Sequence, residues 1–256
     1  MRILYISPDR HAKSLQFETN EINELKKISN IRVISCRAIK NPISISFFYT
    51  LGCSLMALII VRPLNLLMCL GFMIQCILLR PYKVNSSIAA LIIAVIEAQR
   101  VLRLPLQKRP RHVHCNFIQG TLHVGYYLHI LCGLTLSSKA HAYDIYSTSP
   151  LKTYAKTTTK HIIQRSVSTF SISGHGSDCL RSIYKIRPII NRVCIDPALF
   201  GAAHATTNHK SNKDSAVIQL GYFGRLTEKK GVDVALLAVR RLNDEGRCCQ
   251  FHIYGY

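Results

Sequence analysis

Residues 2–7 (RILYIS) and 31–36 (IRVISC) are short apolar runs rich in β-branched residues. Between them Phe17, Ile22, Leu25 and Ile28 recur at helical spacing. A strand, a helix and a strand in that order form a parallel pair, because a helical crossover returns the chain to the end of the sheet where it began. This opening constrains the fold more than any other stretch. It predicts an α/β chain with a Rossmann-like parallel sheet flanked by helices. The pattern continues with a strand over 111–117 (RHVHCNF), an apolar helix over 120–132, a strand over 167–173 (VSTFSIS), a helix over 174–184 and a strand over 187–190. No GxGxxG follows the first run, which speaks against a dinucleotide site of that type.

A second block follows a polar stretch, 201–215, that reads as a linker. Residues 217–223 read as a buried strand, and Gly224 breaks it. Leu236, Val239 and Leu242 then mark a helix over 232–243, and 251–256 (FHIYGY) reads as another strand. The expected domains are therefore 1–200, a first Rossmann-like domain, and 216–256, the start of a second, incomplete one. The strand-to-helix loop from Gly224 to Gly231 carries Arg225, Lys229 and Lys230. Backbone amides at a helix start, the helix dipole and a guanidinium that forks onto two oxygens together suit a phosphate. The bland alternative is a solvated basic turn.

Charge and cysteine usage narrow the partners. The formal net charge is +20, and between Glu24 and Asp144 the only acidic residue is Glu97. Such a chain favours polyanions: nucleic acid, anionic lipid or a phosphorylated substrate. Its aromatic residues sit mostly in apolar runs rather than among basic ones, so no specific nucleic acid is expected. The ten cysteines include no CxxC pair and read as small buried hydrophobes in a reducing compartment, which places the protein in the cytoplasm.

Residues 41–79 hold one charge, Arg62, in two apolar runs, 43–61 and 63–79, each near the length that crosses a bilayer. Ser44, Ser46, Thr50, Gly52, Ser54, Asn65 and Gln75 interrupt them. We read helices that partly pack on the sheet and partly dip into a membrane interface, with a transmembrane hairpin as the alternative. Arg80, Lys83, Arg100, Arg103, Lys108, Arg109 and Arg111 flank or follow the region and suit anionic lipid headgroups.

His112 and His114 lie two apart and share one face of a strand, but no third ligand stands at a credible spacing, so no metal is expected.

The string GRLTEKKG followed by an apolar helix and FHIYGY resembles the donor-domain opening of retaining GT-B glycosyltransferases of the group 1 family, as in exopolysaccharide and colanic-acid synthesis. The resemblance implies that Arg225 and Lys230, after Gly224, grip the diphosphate of a nucleotide sugar. SLQFETNEINEL (14–25) is similar to the family's acceptor-side loop and helix. Phe17, Asn20 and Glu21 match there, whereas Leu15 and Gln16 replace an acidic residue and a hydroxyl. SKAHAYDIY (138–146) resembles the segment whose His, here His141, lines the interdomain cleft near the donor sugar. Asn116 stands where a further His is common, and Cys194 where the interdomain turn usually has Gly.

The implied activity is transfer of a sugar, with retention, to a saccharide or lipid-linked acceptor. It needs no metal or other cofactor and runs at the inner face of the membrane. The family continues well beyond residue 256 with a paired-glutamate motif and a base pocket, so this chain is expected to be inactive by itself. The alternative is a non-catalytic basic protein that binds membrane or nucleic acid.

Overall fold

The computed structural model describes residues 2–8, 16–36, 45–79, 84–118, 120–146, 152–193 and 217–255. The loop before Gln16, Arg80, Lys83, Cys194 and the linker 201–215 lie outside the described residues. The chain divides into two compact units, Met1–Asp196 and Pro197–Tyr256.

The first unit is an α/β fold around one six-stranded, wholly parallel sheet. Its strands are β1 (Arg2–Ser7), β2 (Asn30–Ser35), β3 (His112–Asn116), β4 (Thr135–Ala140), β5 (Ser168–Ser171) and β6 (Ile189–Ile190), in the order β2-β1-β3-β4-β5-β6. This is the Rossmann-like sheet the opening residues predict. Its strand order reverses at β1, which has β2 on one side and β3 on the other. In open sheets of this kind ligands bind outside the carboxyl ends of the strands, at that reversal.

The two faces of the sheet differ in chemistry. Leu4, Ile6, Val113, Cys115, Leu136 and Ala140 alternate onto one face and are buried. Helix α5 (Thr121–Cys132) lies close on this face because Gly125 has no side chain: a Cβ there would meet Cys115 Sγ at 2.2 Å. Helix α4 (Val84–Leu102) packs beside α5 in the same core. The opposite face carries Tyr5, His114, Ser137 and Lys139, where register sets Tyr5 beside His114 and His114 beside Ser137. Helix α1 (Gln16–Ile28) docks there through its acidic residues.

Helices α2 (Ile45–Val61) and α3 (Pro63–Leu79) meet at a bend of 119° around Arg62. Helices α6 (Ala142–Tyr146), α7 (Lys152–Ile163) and α8 (Gly174–Tyr184) complete the unit. The sequence reading assigned no element to α4 or α7. Alpha-helix α4 is apolar over most of its length and buries both flanks, so it lacks the polar stripe that marks a surface helix.

In the second unit, β7 (Ile218–Phe223) and β8 (Cys249–Tyr254) form a parallel pair, joined by helix α9 (Val232–Asp244). Strand β7 is not buried, contrary to the sequence reading: Phe223 is 76% exposed. One helix on two strands shields too little of their surface, and among the described residues of this unit only Cys249 is buried. Reading every cysteine as buried fails likewise at Cys248, which is exposed.

Candidate functional site

The carboxyl ends of β1, β3 and β4 converge on one cluster. His141 follows β4 directly and is 5% exposed. Its Nε2 lies 2.8 Å from Asn116 Oδ1 at the end of β3. That amide oxygen only accepts, so the ring donates through Nε2 and Nδ1 keeps its lone pair. Asp144 Oδ2 accepts from the His141 backbone amide at 2.9 Å, which fixes the turn into α6. The Phe117 ring stacks on the imidazole at 4.2 Å, and Phe17 from α1 lies against it at 5.1 Å. Burial, and then the Lys139 ammonium, push the His141 pKa down to about 4, so the ring is neutral at neutral pH.

Beneath this ring, Lys139 Nζ pairs with Glu21 Oε1 at 2.7 Å in a buried ion pair, and Tyr5 donates to Glu21 Oε2 at 3.1 Å. Ser7 donates to Glu18 Oε2 at 3.0 Å. A buried Lys without its carboxylate is costly, so these bonds hold α1 against the sheet. Glu21 is thus occupied within the protein, while Asn20 is half-buried on the same helix. His114 sits behind, its Nδ1 2.8 Å from Ser137 Oγ; the same hydroxyl meets His112 Nε2 at 2.7 Å. Burial pushes His114 down to about 3, with the His112 and Lys139 charges adding to it. Among the described residues no group of three potential metal ligands forms here.

Phe117 has φ 77°, a left-handed backbone that bulky residues rarely adopt. Its amide donates to Lys139 O at 3.0 Å, and Thr121 Oγ1 donates to the Asn116 and Phe117 carbonyls, so the surrounding bonds impose the conformation. Strain of this kind gathers at ligand sites. Asn116 Nδ2 is buried and has no partner among the described residues. An acceptor on His141 and a donor on Asn116 therefore stand one hydrogen bond apart, a pairing suited to a hydroxyl-bearing ligand.

In the second unit, Gly224, Arg225 and Lys230 share the loop ahead of α9. A 3-10 turn, Glu228–Lys230, precedes Gly231, which caps α9 with φ 64°. Tyr222 OH donates to Arg225 O at 2.7 Å and shapes the loop. The side chains of Arg225 and Lys230 are exposed and form no ion pair with a described residue. Two exposed cations beside a helix N-terminus make an anion-ready surface. His141, Phe17 and Glu21 thus come together in the first unit, and Gly224, Arg225 and Lys230 in the second.

Lys139 and Phe117 were not picked out from the sequence. The signal for Lys139 was present: the one charged residue of a strand of small and hydroxyl-bearing side chains, at the parity of Ser137, needs a counter-charge once buried. Nothing local marks the backbone of Phe117.

No family model matches the chain, and no curated protein matches it.

Proposed function

We propose that this chain is a glycosyltransferase of the retaining GT-B type. The reaction of that type is transfer of a sugar from a nucleotide-sugar donor to a saccharide or lipid-linked acceptor of surface polysaccharide synthesis, on the cytoplasmic side of an anionic membrane. The observation that supports this reading best is the cluster of Phe17, Asn116, Phe117 and His141 at the reversal of a parallel sheet, where such folds take ligands.

A neutral imidazole between aromatic rings, with an amide beside it, suits a sugar: hydroxyls for the polar atoms, ring faces for the C–H surface. Arg225 and Lys230 supply the fixed positive charge that a departing diphosphate needs, at a helix start that adds its own dipole. The scarcity of acids agrees with a reaction that does not rest on a pair of protein carboxylates.

The test is titration of the chain with uridine and guanosine diphosphates, followed by amide chemical shifts. Shifts confined to 224–232 that vanish in Arg225→Ala are expected. Diphosphates that leave these amides unmoved would remove the reading's chemical basis.

A further inference from the structure

Each helix of the bent pair has its inward face settled. Helix α3 buries Leu66, Cys69, Phe72 and Cys76, a stripe at helical spacing. Phe72 lies among rings: Tyr126 at 4.8 Å, His161 at 5.4 Å and Tyr127 at 6.0 Å. Asn65 Nδ2 donates to Ile130 O. Helix α2 buries Leu58 and Ser54, whose hydroxyl donates to Gln99 Oε1 of α4 at 2.6 Å.

The outward faces should then be polar, and they are not. Phe48, Met56 and Ile60 on α2 and Leu64, Leu67 and Ile74 on α3 are exposed, with Ile60 76% and Leu64 72% accessible. A helix that is apolar all round, with one face already in a protein core, presents its other face to an apolar surrounding.

Charge decides which surrounding. Arg62 is exposed at the bend, and Arg103 and Lys108 are exposed after α4. Asn65, just past the bend, donates to Ile130 O near the end of α5, and Cys132 at that end meets Ala98 O of α4, which brings the bend and the last turns of α4 to one end of the layer. The region's lone acid, Glu97, is held between Arg32 and Arg100. A second copy would press like charges together on a chain of net charge +20, whereas anionic headgroups would neutralise them.

Length disfavours a simple crossing. Each helix has 17 residues, roughly 25 Å of helix against about 30 Å of hydrocarbon. Helix α4 is long and apolar enough to cross, but half of it is buried within the protein.

We propose that α2 and α3 form an in-plane anchor that seats the first unit on an anionic bilayer, outer faces among the acyl chains and Arg62 at headgroup level. This deepens, and rests on, the membrane part of the proposed function.

The chain has no tryptophan, so single reporters are read without background. Ile60→Trp, Leu67→Trp and Leu78→Trp are titrated with vesicles of phosphatidylcholine and phosphatidylglycerol, and with phosphatidylcholine alone. Phe72→Trp serves as the core control, and circular dichroism checks each fold. Blue-shifted emission on the mixed vesicles only, quenched more by shallow than by deep brominated lipids at all three sites, is expected. Leu64→Asp with Leu67→Asp should weaken partitioning by about tenfold or more.

Emission indifferent to vesicles, or quenched best by deep lipids, overturns the anchor. A shift that follows protein concentration without lipid also overturns it, in favour of a seam between copies. Diphosphate binding is measured on the same preparations. Its loss counts against the glycosyltransferase reading alone, and vesicle failure with diphosphate still bound counts against the anchor alone.

Discussion

Lys139 and Glu21, 118 residues apart in the chain, meet at 2.7 Å in a buried ion pair. The pair joins β4 to α1 and so fixes the distance between His141 and Phe17. Removing one partner leaves a charge stranded in the interior, at a cost of about 3–5 kcal/mol, whereas removing both relieves that penalty. Glu21→Gln and Lys139→Met are each expected to destabilise the fold strongly, and the double variant less than their sum. Urea unfolding of the four proteins in a double-mutant cycle measures this; strictly additive losses would contradict the coupling.

Acid should unfold the first unit through its histidines. His141 and His114 are held near 4 and 3, below an ordinary histidine near 6.5, so each is neutral when folded. The unfolded chain takes up these protons first, near the ordinary value. The stability they contribute is complete above that pH and drains away as pH falls toward the folded values. For His141 alone the loss amounts to on the order of 3 kcal/mol. Melting temperature recorded from pH 7 to pH 4 should fall, and His141→Gln should flatten the slope. An unchanged slope in the variant would place the acid sensitivity elsewhere.

The backbone at Phe117 gives an inverted ranking of substitutions. Alanine loses the ring that stacks on His141 and keeps the strain of φ 77°, while glycine loses the ring and accepts that φ. Phe117→Gly should therefore be more stable than Phe117→Ala by about 1 kcal/mol. Chemical denaturation of both settles the order.

Much of this fold was legible because parallel strands carry short β-branched runs and their helices carry a period. The reading of 2–7, 174–184 and 217–223 lies within a residue of β1, α8 and β7. The cluster was legible only in part. His141 and Phe17 stood out as individual residues. The bonds that make a cluster of them, Asn116 to His141 and Lys139 to Glu21, join positions far apart in sequence and leave no local signal. Exposure of β7 was hidden for a similar reason: an apolar strand looks the same whether or not anything covers it.

At the basic loop, a discriminating comparison is available. Arg225→Ala and Lys230→Ala should each weaken diphosphate binding by about 10- to 100-fold, the worth of one charge-assisted bond. Arg225→Lys should recover only part, since an ammonium cannot fork onto two oxygens. Glu228, exposed at the start of the 3-10 turn, should be replaceable by Gln with little effect. Isothermal titration compares the four; equal affinities throughout would mean that the loop holds no diphosphate.

Thiol reactivity should sort by depth. Burial pushes Cys69 and Cys132 up to about 12, leaving almost no thiolate at neutral pH, while Cys248 is exposed. Iodoacetamide followed by peptide mass spectrometry should label Cys248 first in the native protein, and labelling of Cys69 at a comparable rate would show that α3 opens readily.

The unlike faces of the sheet also proofread how β4 is inserted. Because side chains alternate, a slip of one residue along β3 would turn Lys139 toward Cys115 and Leu136 toward His112. An ammonium would enter the greasy layer with no carboxylate in reach, and a leucine would strand the hydroxyl-linked histidines. A misaligned strand therefore carries its own penalty at Lys139 and at Leu136, and the pairing that seats His141 beside Asn116 is the one in which neither face is violated.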